Sequence, residues 1–262
     1  MGENVRRDDA ARRSRTAYRL LALDMDGTLL DDRQRISDTN AAWIRRAIEA
    51  GIIVCLSTGR SFESAVPYAE QLGLETPMIT VNGGEVWSKP YELHRRICLP
   101  AETVQRLYET ARAYGDVWFW AYATDGLYNK ERWTSDAAGK MWLKFGFHTE
   151  DDDLRHAIWK EISGWGGLEI TNSSPHNLEI NPAGVSKAAG LMEVCRLVGC
   201  SLAETVAVGD SLNDLAAIRA AGLGVAMGNA QEAVKAAADA VTGTNEEDGV
   251  AQVIRDYLLK DV

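Results

Sequence analysis

Two pairs of aspartates are placed where chemistry is possible. Asp24 and Asp26 follow the short apolar run Leu20-Leu21-Ala22-Leu23, and Asp210 and Asp214 lie just beyond a second run at 205–208. Carboxylates are poor strand residues, and beside a buried strand they need a metal or hydrogen bonds to stay ionised. On an extended segment, side chains two apart point the same way, so Asp24 and Asp26 can address one small ligand from one side. One carboxylate could attack phosphorus while the other, kept protonated by its neighbour's charge or by its surroundings, serves the leaving oxygen. Asp26-Gly27 taken alone reads equally as turn punctuation. A hard dication such as Mg²⁺ takes oxygen ligands, usually one or two carboxylates plus water and substrate phosphate. Asp24, Asp210 and Asp214 meet that demand if their strands are neighbours, although Asp214 alone also fits as a helix-start residue stabilised by the dipole.

Three further stretches join these candidates. Ser57-Thr58-Gly59-Arg60 leads from an apolar run into a helix, where a hydroxyl and a helix N-terminus form a phosphate cradle or simply a cap. Asn82-Gly83-Gly84 closes a third strand, with glycines that permit a tight turn or close ligand approach. Lys187 stands near a helix start, where a cation is slightly unfavourable to the dipole. That placement favours a ligand role over that of a solvated surface lysine.

The elements that must position these groups follow from pattern. The run at 20–23 is apolar without alternation, which suits a strand buried on both faces of a parallel sheet. Ser37 or Asp38 can cap a helix that buries Trp43, Ile44, Ala47 and Ile48 and ends at Gly51. Strands at 52–56 and 78–81 follow, with a helix from Phe62 between them. After Val185 the alternation returns: helix 186–198, strand 205–208, helix 214–221, strand 224–227, helix 230–238, strand 240–242 and helix 250–259. This is an α/β fold with a doubly wound, mostly parallel Rossmann-like sheet, and ligands gather outside the carboxyl ends of such strands. Between 85 and 184 the rhythm changes. Seven of the eight tryptophans fall there (Trp118, Trp120, Trp133, Trp142, Trp159 and Trp165, with Trp87 at its margin), with strand-like pieces at 117–122, 168–171 and 177–180 and helices at 101–114 and 152–163. The expected organisation is a disordered tail at 1–17, a core of 18–84 and 185–262, and an inserted α+β cap at 85–184. A basic interaction arm is the alternative for the tail.

Composition bounds the function. The 262 residues are 46% hydrophobic and 25% charged, enough for one large or two modest domains. A net charge of −10 argues against nonspecific nucleic-acid or anionic-membrane binding, and it requires a local positive site or a metal for an anionic substrate. Cys55, Cys98, Cys195 and Cys200 have neither metal-ligand spacing nor disulfide density, so a reducing cytoplasm is expected, with Cys55 a small core residue. No secretory signal or membrane span is visible in the sequence.

The stretch Asp24-Met25-Asp26-Gly27-Thr28-Leu29-Leu30 resembles the first motif, D-x-D-G-T-L, of haloacid dehalogenase-like (HAD) phosphatases. Thr58, Lys187, and Asp210 with Asp214 follow in the order of the other three motifs. The insert is similar to a type IIB cap, and the turns Asn82-Gly83-Gly84 and Met227-Gly228-Asn229-Ala230 are similar to those of the Cof-type subfamily. Ala188 and Gly84 depart from frequent subfamily choices, but neither touches a catalytic side chain. The resemblance implies that Asp24 is the nucleophile, forming an aspartyl-phosphate, and that Asp26 protonates the leaving group and then activates water. It implies Mg²⁺ held by Asp24, Asp210 and the backbone carbonyl of Asp26, with Asp214 direct or through water. Thr58, Asn213 and Lys187 would hold the transferring oxygens, and Gly59, Arg60, Asn82 and Gly83 would contact substrate.

The implied function is a Mg²⁺-dependent phosphatase of a small phosphorylated metabolite, a sugar phosphate or a related polyol or nucleotide phosphate. No nucleic-acid polymer, membrane or protein partner is expected. A phosphomutase, or a phosphosugar-binding regulatory module with negligible turnover, are the alternatives. For the insert, one or two of Trp118, Trp120, Trp133 and Trp142 would face the cleft and stack on substrate, or all would fill the small domain's own core. Trp118 and Trp120, at strand spacing, would then share its buried face.

Overall fold

The computed structural model describes residues 18–115 and 117–260; the expected tail at 1–17 lies outside them. In chain order the strands are β1 (Leu20–Leu23), β2 (Ile53–Leu56), β3 (Met78–Thr80), β4 (Glu85–Lys89), β5 (Glu92–Arg96), β6 (Trp118–Ala123) and β7 (Gly126–Asn129). They continue as β8 (Trp142–His148), β9 (Leu168–Thr171), β10 (Asn177–Pro182), β11 (Thr205–Gly209), β12 (Leu223–Ala226) and β13 (Ala240–Val241). The helices are α1 (Asp38–Glu49), α2 (Phe62–Leu72), α3 (Ala101–Ala113), α4 (Asp152–Ser163), α5 (Lys187–Val198), α6 (Leu215–Ala220), α7 (Glu232–Lys235) and α8 (Gly249–Val253).

The first sheet has the order β13-β12-β11-β1-β2, and every pairing in it is parallel. β1 lies inside it, between β11 and β2, with all four residues buried, as a strand without alternation should. Leu21 and Leu23 enter the cluster on one face with Ile44, Val206 and Val208, and Leu20 and Ala22 enter the other with Leu191, Val194 and Ala207. Leu23 is level with both Leu56 and Val208, so Asp24, Ser57 and the residues after Val208 leave three neighbouring strand ends at one height. Ser37 caps α1 by accepting from the Asn40 N–H, and Ser186 caps α5 by accepting from that of Ala189.

β4 and β5, which the sequence pattern assigned to the insert, sit instead with the first sheet. They continue antiparallel from β3, which is bridged to the end of β2 through Ser57 and Ile79. Val86 and Trp87 pack into the two core clusters, and the Trp87 ring stacks on Phe62 at 3.8 Å. The change of rhythm at Glu85 thus marks a switch from parallel to antiparallel pairing, and the second hydrophobic cluster begins only at Leu99.

That cluster belongs to the antiparallel sheet β7-β6-β8-β10-β9. α3 and α4 cover one face, packing Val104, Leu107, Ile158 and Ile162 against Phe119, Ala121, Phe145 and Phe147. Alternation along β6 and β8 sends Trp118, Trp120, Tyr122, Lys144 and Gly146 to the opposite face. Two expected helices are shorter than their composition promised. The alanines after Lys235 leave the helix so that Asp239 can donate to Gly224 O and the chain can enter β13. The last helix gives way after Val253 to a π-turn at Ile254–Leu258. Among the described residues, no helix is long and apolar enough to cross a membrane.

Candidate active site

Asp24 stands one residue past β1, and its N–H donates to Val208 O at 3.0 Å, extending the parallel pairing by one step. Its side chain is 7% exposed. Lys187, the first residue of α5, is equally enclosed, and its Nζ donates to Asp24 Oδ1 and to Asp214 Oδ1, each at 2.6 Å. The other Asp214 oxygen accepts the N–H groups of Asp210 and Ser211, both at 3.1 Å. Protein donors therefore occupy both oxygens of Asp214, which closes the turn after β11 and holds Lys187. Gly209 is required there, because a Cβ would fall 2.2 Å from Asp214 Cγ. The sequence favoured a ligand role for Lys187 over a solvated one; the fold buries it between two carboxylates.

This floor is short of positive charge. Burial, and then repulsion from Asp214, push the Asp24 carboxyl well above the usual range, with Lys187 only partly opposing them. The same two causes push Asp210 up to about 6. Burial works against the Lys187 ammonium, yet Asp214 and Asp24 more than compensate and hold it charged. Asp24, Asp210 and Asp214 each place an oxygen within 4.8 Å of the others. Gly27, at φ 74°, comes so close to this group that a Cβ would meet Asp210 Oδ2 at 2.7 Å. Clustered hard oxygens with one ammonium among three carboxylates are the donor set a divalent cation fits.

Above the floor is a cavity of about 140 Å³ lined by Asp24, Asp26, Thr58, Gly59, Arg60, Asn213, Tyr122, Ser173 and Ser211. Asp24 and Asp26 share it, as their spacing allowed. Asp26, however, is not held protonated. Arg60 grips it with both arms, Nε to Oδ2 at 2.8 Å and Nη2 to Oδ1 at 2.6 Å, and Gln34 reaches the same guanidinium. Burial raises the Asp26 carboxyl, but the hydrogen bonds and charge of Arg60 outweigh it and keep it below the ordinary range. The sequence reading left the cause to the neighbouring aspartate or to unspecified surroundings; the fold supplies a basic partner 34 residues away.

The remaining candidates divide. Thr58 is buried, with its Oγ1 accepting the Arg60 N–H. Asn213 donates its Nδ2 to Asn82 Oδ1, while its own Oδ1 is buried without a partner, an acceptor free for a ligand donor. Asn82 and Gly83, expected to touch substrate, do not line the cavity. Asn82 lies behind Asn213 and Gly83 against the start of α5, where a Cβ would meet Ser186 O at 2.3 Å. Tyr122, Ser173 and Ser211 were not anticipated. Strand alternation was the available signal for Tyr122, two residues beyond Trp120. The loop after β9 reaches the floor through Asn213 N–H to Asn172 O at 3.0 Å and Ser211 Oγ to Ser173 O at 3.3 Å.

The tryptophans divide too. Trp142 is fully buried in the cluster under α3 and α4, with its Nε1 donating to Ala137 O, and Trp133 stacks on it and on Tyr108. Trp118 and Trp120 occupy the opposite face with Tyr122 but do not line the cavity, and the Trp120 ring lies over Gly146. They are therefore not buried with the other two. A second, larger cavity of about 460 Å³ shares Tyr122 with the first and is bounded by Ser61, Glu63 and Ser64 below and residues 123–127 above.

Comparison with known proteins gives these features a family. A profile of haloacid dehalogenase-like hydrolases matches residues 21–156 and 131–254. The 5-amino-6-(5-phospho-D-ribitylamino)uracil phosphatase YcsE of Bacillus subtilis (strain 168) is 44% identical over 241 residues, covering 92% of this chain and 96% of that protein. A haloacid dehalogenase-like hydrolase from Bacteroides thetaiotaomicron, 33% identical, superposes with a TM-score of 0.77 over 91% of this chain and 99% of its own. A HAD subclass IIB sugar phosphatase, at 24% identity, shares the fold with a TM-score of 0.80 over 91% of this chain and 98% of its own.

Proposed function

The chain belongs to the haloacid dehalogenase-like hydrolases and is a phosphatase of that family, and on this premise we propose that it hydrolyses a small phosphorylated metabolite through an aspartyl-phosphate on Asp24, with Mg²⁺. The observation that carries the reading is the floor itself. A buried carboxylate faces a small polar cavity with a lysine bonded to one of its oxygens, beside two more carboxylates.

Asp24, Asp210 and the Asp26 carbonyl would hold the ion, whose chemistry is to neutralise charge between a carboxylate and a phosphate dianion. Asp214 then acts from behind, fixing Lys187 and the turn. Asp24 attacks phosphorus, the ester oxygen departs, and Thr58 and Lys187 offer donors to the transferring oxygens, where phosphoryl transfer gains most of its stabilisation; Asn213 would join them only when its Nδ2 exchanges Asn82 for the phosphoryl group. Asp26 supplies the proton to the departing oxygen and later takes one from the attacking water. To do so it must leave Arg60. An arriving phosphate dianion competes for that guanidinium, and an Asp26 that has lost its partner binds a proton more readily. The larger cavity receives the leaving group. Its hydroxyls, from Ser61, Ser64 and Thr124, and its aromatic wall, Tyr122, suit a polyol chain with a flat ring, as in the 5-amino-6-(5-phospho-D-ribitylamino)uracil for which the relative is named.

The test is phosphate release from a panel holding that ester, sugar phosphates, nucleoside monophosphates and an aryl phosphate, before and after stripping divalent ions. Release that requires Mg²⁺ is expected, with a phosphopolyol among the best substrates. No release from any ester with Mg²⁺ present, or full activity after exhaustive chelation, overturns the reading.

A further inference from the structure

A second buried ion pair lies where the antiparallel sheet meets the floor. Lys144 on β8 and Glu179 on β10 are 2.9 Å apart, with side chains 2% and 4% exposed. Desolvating two charges is tolerated only when their remaining hydrogen-bonding capacity is filled. Here it is filled largely by the first domain. Lys144 Nζ also donates to Gly59 O at 2.7 Å. Glu179 Oε1 accepts from Ser173 Oγ at 3.0 Å, and its Oε2 accepts from Asn82 Nδ2 at 2.7 Å. Asn82 in turn accepts from Asn213 Nδ2 at 3.2 Å, and its N–H donates to Thr58 O at 3.0 Å. Asn82 holds this place in the left-handed region, at φ 57°. Gly59 lies so close that a Cβ would be 2.9 Å from Asn82 Oδ1 and 3.4 Å from Lys144 Nζ.

One bond, from Asn82 Nδ2 to Asn181 Oδ1 at 3.4 Å, stays within the network; its other branches end on groups that line the small cavity, namely Thr58, Gly59, Ser173 and Asn213, while Lys144 and Glu179 do not line it themselves. We infer that Lys144 and Glu179 are positioning residues that orient the Thr58-Gly59 peptide and the Asn213 amide, so that the phosphoryl cradle is complete only with the antiparallel sheet seated on the core. The inference rests on the phosphatase reading above and adds to it a dependence of the chemical site on cap residues that never touch substrate. A misplacement of such groups by about 1 Å is worth about a hundredfold in rate.

Three roles for the pair predict different results. Adhesion alone lowers stability. Recognition of the leaving group lowers activity only on bulky esters. Positioning of the cradle lowers turnover of every ester and weakens phosphate analogues by a comparable factor.

The experiment compares Lys144→Met, Glu179→Gln, Asn82→Gly and the double variant Lys144→Met/Glu179→Leu in the full chain, well below each melting temperature. Glycine keeps the left-handed backbone at position 82 accessible, and the double variant leaves neither charge buried alone. Turnover of an aryl phosphate and of a bulky phosphopolyol is measured with Mg²⁺, together with inhibition by orthovanadate and calorimetric binding of inorganic phosphate. The expected result is a loss of about tenfold or more in kcat/KM, equal on both esters and mainly in kcat, with orthovanadate weakened alongside. The double variant should regain thermal stability relative to the single ones without regaining kcat. Folded variants with wild-type kinetics and orthovanadate inhibition, or a loss confined to the bulky ester, overturn the inference. A wild type that releases phosphate from no ester sinks the phosphatase reading instead, and phosphate binding across the variants then decides this one.

Discussion

Lys187 and Lys144 are both sealed from solvent against carboxylates, yet their surroundings differ in the way that separates a reactive site from a clamp. Lys187 meets Asp24 and Asp214 at 2.6 Å each, with Asp210 in the same cluster. One ammonium among three carboxylates leaves charge uncompensated, and the Asp24 and Asp210 carboxyls are driven upward. Lys144 meets one carboxylate and one carbonyl, while neutral amide and hydroxyl donors complete Glu179. Burial raises the Glu179 carboxyl, but Lys144, Asn82 and Ser173 together bring it below its ordinary value. The same kinds of charged group thus give, in different ratios, a site suited to a cation in one place and a self-sufficient joint in the other.

The contrast is broken most severely at Asp24. Asp24→Asn keeps the shape and the Lys187 contact but removes the nucleophile, and steady-state turnover should fall by about 10³-fold or more. Residual activity within about tenfold of wild type, measured on folded protein, would refute the assignment. Lys187→Met is expected to weaken phosphate binding and to destabilise the metal-free protein by about 3–5 kcal/mol, because two buried carboxylates lose their counter-charge. Chemical denaturation with and without Mg²⁺ checks this, and part of the loss should be restored by the ion. Unchanged kinetics and midpoint would return Lys187 to a passive role.

Asp26→Asn should impair an alkyl phosphopolyol more than an aryl phosphate, whose leaving group needs little protonation. Equal defects on the two esters count against acid catalysis. At the other lysine, the effect appears in pH dependence. A carboxyl whose folded pKa is depressed contributes stability that is present above its unfolded value, 4.5 for glutamate, and lost as pH falls through the folded pKa. Wild type should therefore be more stable than Glu179→Gln at neutral pH, with the gap closing as pH falls below 4.5. Urea midpoints across that range decide it; a gap independent of pH contradicts a charged Glu179.

The smallest expected effects concern the tryptophans on the two faces of the antiparallel sheet. Trp142→Phe loses buried contacts and the hydrogen bond to Ala137 O and should cost about 1–3 kcal/mol. Trp118→Phe, on the face away from α3 and α4, should stay within about 0.5 kcal/mol. Thermal denaturation of the pair tests the face assignment directly, and equal losses would show that it is wrong.

How far the chain could be read in advance follows from the range of each interaction. β1, β2 and β11 were legible because unalternating apolar runs between turn residues specify doubly covered strands locally. Asp24, Lys187 and Asp210 were legible because carboxylates after such a run, and a lysine opening a helix, contradict local preference. β8 was not. Its first six residues are all buried, and Lys144 and Gly146 interrupt the apolar alternation because one caps a buried carboxylate and the other makes room for the Trp120 ring. The resting charge of Asp26 was out of reach of the sequence for a similar reason. Its spacing from Asp24 is local, but its charge state depends on Arg60, which only the β1 and β2 pairing brings alongside.

The sequence by itself determined which strand ends carry acid and that the α/β rhythm breaks off near Glu85 and resumes near Val185, since each of these is written in residues a few positions apart. Tertiary structure decided the states of those groups. It set which carboxylates are raised and which lowered, which lysine is matched and which is outnumbered, that β4 and β5 belong to the core, and which tryptophans face the helices. Desolvation and Coulomb terms depend on everything within several ångströms in space, and in a chain folded from two interleaved halves those neighbours come from positions more than a hundred residues apart, as Lys187 and Asp24 do.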